Sequence, residues 1–247
     1  MQTGNAVNFN LPQLTCEIRF HVKQAGNAAL EKAKHFIIAG GRRPEEKWLR
    51  SAVSISQCPV YCADKGAEYA LAAGIVPAAI YGDADSAANG TYDKAQDMGT
   101  QVHSYNPAKD DTDLQLLLNN LPAGDVMISG VWGGRFDHLY SNVFSLLGYK
   151  KRCANTASQV IMADEREVML LLTAGEGVSV KLNDGYKVKA LSLLPLSDAV
   201  VDLIGTRWPL QKASLQQLYP YAVSNEVQGG FTCLCHTGSI GVYLNFA

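Results

Sequence analysis

Short apolar runs rich in β-branched and aromatic residues recur through the first half of the chain, and a turn and a helix-compatible segment follow each of them. Strands that alternate with helices in this rhythm are typical of a parallel sheet covered by helices. In such sheets ligands bind beyond the carboxyl ends of the strands, so the loops after these runs are the candidate functional segments. The runs lie at residues 35–39, 59–63, 78–81, 102–105 and 126–130.

From about residue 163 the rhythm changes to short strands joined by turns, without helices between most of them. An Asn-Asp-Gly turn at residues 183–185 is typical of a β-hairpin. This succession predicts a separate β-sandwich, interrupted by a short helix at residues 210–215. The predicted fold class is therefore α/β plus all-β, an N-terminal parallel-sheet α/β domain followed by a C-terminal β-sandwich. The strand-like runs lie at residues 168–172, 178–182, 186–194 and 200–204.

These patterns predict an N-terminal extension at residues 1–30, the α/β domain at residues 31–160 and the β-sandwich at residues 161–247. In the extension, residues 14–23 alternate apolar and polar side chains, which predicts an edge strand or an N-terminal arm. Residues 1–12 carry no Lys or Arg ahead of an apolar segment, so they are not typical of a secretory signal or a transit peptide.

Composition and charge argue against several classes of function. With 47% hydrophobic and 18% charged residues, the 247-residue chain can bury a sizeable core. Its formal net charge of -2 gives no basic field for nucleic acid or an anionic membrane surface, and no apolar run is long enough to span a bilayer. The six cysteines have no spacing typical of a zinc site, which favours a cytoplasmic location and buried thiols.

Three stretches with closely spaced carboxylates follow the strands of the first half, at residues 82–86, 109–113 and 133–138. Asp83 and Asp85 lie two residues apart, so they either share a divalent cation or form an Asp-rich turn that caps the next helix. Asp110 and Asp113 lie on one face of a helix start, where carboxylates also favour the positive end of the helix dipole. Asp64, at the end of the second strand, points to the same sheet edge. Converging carboxylates need a cation or shared protons, because like charges repel.

Two glycine turns are candidate phosphate-binding segments. Gly40 and Gly41 follow the first strand, and they either bring backbone N–H groups near a phosphate, with Arg42 or Arg43 adding charge, or make a plain tight turn. Arg135 follows a second pair of glycines, and its planar guanidinium is suited to clamp a phosphate.

Taken together, these motifs resemble the thiamin pyrophosphokinase family in order and spacing, from about residue 35 onward. The resemblance implies an α/β domain that binds ATP and Mg2+, a β-sandwich that binds thiamin, and a homodimer whose thiamin sites lie between subunits. It implies transfer of pyrophosphate from ATP to the hydroxyl of thiamin, with release of AMP. The motifs are residues 82–86, 109–113 and 133–138 with Asn142, Trp-Pro-Leu at 208–210 and Ser-Asn-Glu at 224–226.

The resemblance also implies roles at the nucleotide. Asp83, Asp85 and Asp113 are the expected Mg2+ ligands, with Asp110 and Asp64 next in rank. Carboxylates serve a polyanion such as ATP only through a metal ion, which bridges them to phosphate oxygens. Further expected contacts to the nucleotide and its metal are Gly41, Arg42, Asp64, Lys109, Asp110, Arg135 and Asn142, and Asp137 is a candidate acceptor for the hydroxyl proton.

Thiamin is a cationic aromatic compound, and its recognition calls for an aromatic face and polar groups. Trp208, Ser224 and Asn225 have these types, and the resemblance assigns them to thiamin, although Trp208 alone is more typical of a sandwich core. The chain departs from the family at Ala84, commonly Phe, and at Lys109, frequently Gln, but neither difference removes a ligand.

Two other functions fit the same residues. One is a pyrophosphokinase for another hydroxyalkyl heterocycle, such as a hydroxymethylpterin, against which Trp208 and the Ser224 and Asn225 pair argue. The other is a non-catalytic sensor of thiamin or nucleotide, against which the converging carboxylates argue, because they are costly without a cation.

Overall fold

The protein consists of two compact units in the computed structural model. The α/β unit is Ala29–Asp164, and the β unit is Met1–Ala28 together with Glu165–Ala247. The fold is mixed α/β, as the sequence predicts, with parallel pairing in the α/β unit and antiparallel pairing in the β unit. The structure describes residues 6–20, 33–83, 90–106 and 110–247.

The described parts of the chain contain both helices and strands, and none of these helices is long and apolar enough to cross a membrane. The helices are α1 (Glu46–Ser56), α2 (Gly66–Ala72), α3 (Thr91–Asp97), α4 (Asp113–Asn120) and α5 (Phe136–Arg152), followed by a 3-10 turn at Ala154–Thr156. The strands are β1 (Ala6–Asn10), β2 (Leu14–Phe20), β3 (Ala33–Ile38), β4 (Val60–Ala63), β5 (Ala79–Gly82), β6 (Gln101–Ser104), β7 (Gly124–Ser129), β8 (Val160–Ala163), β9 (Glu167–Thr173), β10 (Glu176–Leu182), β11 (Val188–Pro195), β12 (Ala199–Thr206), β13 (Leu210–Leu215), β14 (Val227–Thr237) and β15 (Ser239–Phe246).

The strands of the α/β unit are parallel and lie in the order β8-β7-β3-β4-β5-β6. β5 and β7 are buried along their whole length, which explains why they occur in the sequence as continuous apolar runs. The chain proceeds outward from β3 through β4 and β5 to β6, whereas β7 and β8 lie on the other side of β3. The direction of winding therefore reverses between β3 and β7, and sheets of this kind bind ligands near such a reversal.

The core of the α/β unit lies between these strands and one face of each helix. Phe36 and Ile38 of β3 and Ile128 of β7 are fully buried. Helix α1 buries Leu49 and Ala52, which are three residues apart and therefore lie on one face of the helix. Burial of these apolar side chains fixes the helices against the sheet and leaves the strand ends to carry polar groups.

The β unit contains an antiparallel sheet in the order β1-β2-β10-β14-β12-β13, and β11, β15 and β9 also pair antiparallel in that order. The strand predicted within residues 14–23 is present as β2, and residues 21–23 lie outside the described residues. Strand β2 lies between β1 and β10, so its predicted edge position is wrong, and β1 is the edge. Cys233 and Cys235 of β14 are buried free thiols, and burial raises the pKa of Cys235 to about 12. Neither thiol is suited to redox chemistry.

The prediction of a short helix at residues 210–215 is also wrong, because this segment is strand β13. It pairs antiparallel with β12, and the backbone N–H of Lys212 donates to Asp202 Oδ1 over 2.6 Å. Lys212 has a φ of 43°, and the pairing of β12 with β13 shifts register in this region. Hydrogen bonds to the preceding strand β12 therefore decide the structure of a segment whose side chains also suit a helix.

Candidate active site

Three carboxylates meet at one end of the parallel sheet. Asp64 follows β4, Asp83 follows β5, and Asp113 is the first residue of α4. Each offers a carboxylate oxygen that lies within 4.8 Å of the other two, and all three residues are partly buried. We call Asp64, Asp83 and Asp113 the carboxylate cluster. Three negative charges so close together call for a cation or for shared protons.

Parallel pairing brings Asp64 and Asp83 together. In the register of β4 and β5, Ala63 lies opposite Tyr81, so both strands end at the same edge. Asp64 leaves its strand with a φ of 48°, and its N–H donates to the carbonyl of Tyr81 over 2.9 Å. A non-glycine residue in the left-handed region is uncommon, and here it turns the chain from β4 toward α2 while the carboxylate stays at the strand end.

A capping box fixes the position of Asp113. The side chain of Thr112 accepts from the N–H of Gln115, and the Gln115 side chain accepts from the N–H of Thr112. These two bonds satisfy N–H groups that the first turn of α4 would otherwise leave without a partner. The Asp113 carboxylate therefore starts a well-defined helix, next to its positive end.

The hydroxyl of Tyr92 lies beside the carboxylate cluster. Tyr92 is 9% exposed, and its hydroxyl is buried and has no hydrogen-bond partner among the described residues. Burial raises the pKa of Tyr92, and the charges of Asp64, Asp113 and Asp83 raise it further. Tyr92 carries no local signal of this position, because only the fold brings α3 next to the ends of β4 and β5.

Other acidic and basic residues predicted for the site are placed differently. Asp110 and Asp111 are exposed ahead of α4, and Asn142 is partly buried on α5. Asp85 and Lys109 lie outside the described residues.

The Gly41 and Arg42 turn is held by backbone contacts to the loop after β7. The N–H of Gly41 donates to the carbonyl of Gly130 over 2.6 Å, and the N–H of Arg42 donates to the carbonyl of Trp132 over 2.5 Å. A Cβ on Gly41 would lie only 2.6 Å from that Gly130 oxygen, so the close approach of the two loops requires glycine. The N–H of Gly41, which the sequence suggests for phosphate, is thus engaged within the protein.

The Arg42 side chain is paired as well. Its Nε and Nη2 both donate to Oδ2 of Asp164, over 3.1 Å and 2.5 Å, and the Asp164 side chain is fully buried while that of Arg42 is 28% exposed. Asp164 is 122 residues away in sequence and carries no local signal of this role. Only the fold shows that Arg42 balances a buried carboxylate.

Arg135 and Asp137 pair with each other at the start of α5. Arg135 donates from Nε to Oδ1 over 3.1 Å and from Nη2 to Oδ2 over 2.5 Å, and both side chains are well exposed. This hydrogen bonding lowers the pKa of Asp137 below its ordinary value. The guanidinium and the carboxylate therefore partly satisfy each other in this state of the protein.

In the β unit, Asn225 holds the backbone of Trp208. Its Oδ1 accepts from the N–H of Trp208 over 3.1 Å, and its Nδ2 donates to the Trp208 carbonyl over 2.7 Å. Asn225 is 7% exposed, whereas Trp208 is 51% exposed, so the interpretation of Trp208 as a core residue is wrong. The guanidinium of Arg207 lies 4.9 Å from the centre of the Trp208 ring and pairs with Glu226 over 2.8 Å.

Ser224 precedes this asparagine in a strained conformation, with a φ of 60°, and its N–H donates to Ser192 Oγ over 3.1 Å. The Ser224 side chain is exposed. Asn225 therefore holds the backbone that carries the exposed ring of Trp208, and Ser224 presents a hydroxyl nearby in the chain.

A family model described as thiamin pyrophosphokinase, catalytic domain, matches residues 53–158, the segment that contains the whole carboxylate cluster. Residues 53–158 are thus similar to the catalytic domain of thiamin pyrophosphokinase. It is 27% identical over 169 residues to the thiamine pyrophosphokinase of Bacillus subtilis (strain 168), which covers 66% of this chain and 76% of that protein. The resemblance that the motif order indicates is thereby confirmed.

Solved structures of the thiamin pyrophosphokinase family have the same fold. The crystal structure of the Bacillus subtilis enzyme superposes with a TM-score of 0.72 at 22% identity, covering 86% of this chain and 98% of that chain. The Geobacillus thermodenitrificans thiamin pyrophosphokinase gives a TM-score of 0.69 at 25% identity, covering 86% and 97%.

Proposed function

We propose that this protein is a Mg2+-dependent thiamin pyrophosphokinase, which transfers pyrophosphate from ATP to the hydroxyl of thiamin and produces thiamin diphosphate and AMP. The observation that carries the proposal is the convergence of Asp64, Asp83 and Asp113 within the matched catalytic domain. An acceptor other than thiamin, or a sensor without turnover, has no observation in its favour.

The donor atoms of the carboxylate cluster fit Mg2+. This ion takes oxygen ligands, above all carboxylates, and keeps several waters, so three carboxylate oxygens within 4.8 Å of one another provide a suitable set. Partial burial of all three makes the repulsion between their negative charges costly, which favours a bound cation. Asp85, one residue beyond Ala84, is a fourth proposed ligand. When bound, Mg2+ would neutralise phosphate charge and lower the barrier to displacement.

The chain's own residues orient the reaction. The hydroxyl oxygen of thiamin forms a bond to the β-phosphorus of ATP, the bond from that phosphorus to the α,β-bridging oxygen breaks, and AMP leaves with the electron pair. Arg135 and Lys109 hold the polyphosphate, and Arg135 exchanges Asp137 for a phosphate oxygen when ATP binds. Asp137, released from its pair, accepts the hydroxyl proton. Gly41, Arg42, Asp110 and Asn142 complete the nucleotide environment.

Thiamin recognition belongs to the β unit in this proposal. The exposed ring of Trp208 stacks on the cationic thiazolium, and Asn225 and Ser224 fix the ring's position and contact polar groups of thiamin. We further propose a cytoplasmic homodimer with thiamin sites between subunits. The α/β unit then serves as the catalytic domain for ATP and Mg2+, preceded by an N-terminal extension and followed by the thiamin-binding domain.

Product analysis tests the proposal. The protein incubated with ATP, Mg2+ and thiamin should yield AMP and thiamin diphosphate in equal amounts, because one displacement produces both. ADP as the nucleotide product would contradict it, and preferential turnover of a hydroxymethylpterin would assign another acceptor.

Asp83→Asn and Asp113→Asn should abolish turnover without lowering the melting temperature. Asp111→Asn is the matched control, since Asp111 is exposed in the same loop and should keep wild-type rates. Wild-type rates in Asp113→Asn would disprove the metal assignment.

A further inference from the structure

Tyr92 is a buried phenol whose hydroxyl has no hydrogen-bond partner in the described part of the chain. It is the second residue of α3 and is more than nine-tenths buried. Buried hydroxyls almost always find a partner, because leaving one without a hydrogen bond is unfavourable. A tyrosine kept in such a place indicates that the hydroxyl binds a group outside the described residues.

The position of the hydroxyl is fixed by Gly82. A Cβ on Gly82 would overlap the Tyr92 hydroxyl, and the same Cβ would lie 3.1 Å from the Cα of Asp64. The end of the phenol therefore occupies the space between the ends of β4 and β5, directly beside the backbone that carries Asp64 and Asp83. Glycine at position 82 makes room for it.

The chemistry of the phenol decides the role of the hydroxyl in a hydrogen bond. A phenol keeps its proton near neutral pH, so the Tyr92 hydroxyl is a neutral donor. A neutral O–H adjoining a set of carboxylates is suited to donate to an oxygen that arrives with a cation, such as a metal-bound water, because Mg2+ retains several of its waters.

We propose that Tyr92 is a positioning residue of the cation site, and that its hydroxyl donates a hydrogen bond to an oxygen bound to the metal ion within the carboxylate cluster, a role that rests on the cation site proposed above. Groups of this kind orient the ligands around a metal and tune its affinity. A phenylalanine would fill the same space without providing this bond.

Titration with Mn2+ alone, followed by electron paramagnetic resonance of the free ion, tests the proposal on the full-length protein. Tyr92→Phe should bind Mn2+ about 5- to 20-fold more weakly than wild type, the effect of one hydrogen bond near a metal. Its metal-free melting temperature should equal or exceed that of wild type, because no protein bond is lost. In the assay with ATP and thiamin, the KM for Mg2+ should rise by a similar factor, with kcat at saturating Mg2+ nearly unchanged.

Two tyrosines serve as controls. Tyr140, which is 56% exposed on α5, should tolerate Tyr140→Phe without any change. The buried Tyr149 hydroxyl accepts from the N–H of Gly124 and donates to backbone carbonyls, so Tyr149→Phe should lower the melting temperature and leave Mn2+ affinity intact.

The outcomes distinguish the role of Tyr92 from the existence of the cation site. Wild-type Mn2+ affinity in Tyr92→Phe, with binding lost in Asp113→Asn, would overturn the role of Tyr92 and leave the cation site in place. A fall in metal-free melting temperature as large as that of Tyr149→Phe would assign Tyr92 a structural role and overturn the proposal. Absence of Mn2+ binding by the wild-type protein would overturn the cation site and the role of Tyr92 together.

Discussion

Arg135 and Asp137 form a two-point ion pair at the start of α5, with Nε 3.1 Å from Oδ1 and Nη2 2.5 Å from Oδ2. A carboxylate held in this way is a weaker base than a free one, and its guanidinium partner is less available to phosphate. Both proposed catalytic roles therefore depend on opening of the pair when ATP binds.

Arg135→Ala should raise the pKa of Asp137 back toward its ordinary value, because the arginine is the main cause of its lowering. The folded-state pKa is depressed, so the pair persists above the ordinary carboxyl pKa and is lost as pH falls through the lower folded value. A carboxyl-detected NMR titration measures this shift. The KM for ATP should rise about 10-fold or more, the effect of losing a charge-assisted hydrogen bond.

The variant Asp137→Asn tests whether Asp137 accepts the hydroxyl proton. Asp137→Asn frees Arg135, so the KM for ATP should stay the same or fall, and kcat should drop if Asp137 accepts the proton. Full activity in Asp137→Asn would transfer that role to another group.

Arg42 and Arg43 allow the loss of a buried ion pair and of an exposed one to be compared by the free energy of unfolding. Arg42→Ala removes the guanidinium from the fully buried Asp164 and should lower the free energy of unfolding by about 3 kcal/mol, as expected for breaking a buried ion pair from one side. Arg43 forms an exposed pair with Glu46, so Arg43→Ala should change stability by less than about 1 kcal/mol. Urea unfolding measures both, and equal effects would contradict the structural role of Arg42.

Asp64→Asn should stabilise the metal-free protein and remove its response to Mg2+. Loss of one of three like charges relieves a repulsion of about 1 kcal/mol per pair at 4 Å in water. In the wild type, Mg2+ at about 100 times its Kd should add about 2.7 kcal/mol to stability. Thermal melting with and without Mg2+ measures both effects, with exposed Asp93→Asn as the control. A wild-type response to Mg2+ in Asp64→Asn would exclude Asp64 from the site.

Asn225→Ala should weaken thiamin binding specifically. The change removes both side-chain bonds to the Trp208 backbone, so the exposed indole loses its support. The KM for thiamin should rise about 10-fold while the KM for ATP stays constant, at a cost in stability of about 1–3 kcal/mol for the lost bonds. Quenching of tryptophan fluorescence by thiamin follows binding, with Trp208→Phe as the reference. An equal rise in both KM values would indicate a general loss of structure.

The convergence of Asp64, Asp83 and Asp113 was predictable because parallel strands end at a common edge, and the apolar runs locate those ends. An Asp-rich segment ahead of an apolar run indicates the start of α4, but the sequence pattern alone does not identify Thr112 as its N-cap. The predicted strand within residues 14–23 is present but is not an edge, because the distant strand β10 pairs with it. The predicted helix at residues 210–215 is wrong because the preceding strand β12 supplies hydrogen bonds to this segment.

Sequence by itself determined the alternation of strands and helices, the carboxylates in the segments after the strands and the resemblance to the thiamin pyrophosphokinase family, since each of these depends on periodicity or on short motifs. Only the tertiary structure decided that Arg42 balances Asp164, that Arg135 pairs with Asp137 and that Tyr92 lies beside the carboxylate cluster. These contacts depend on how distant side chains pack together and in which direction they point. No local sequence pattern identifies the partner of a buried charge or hydroxyl.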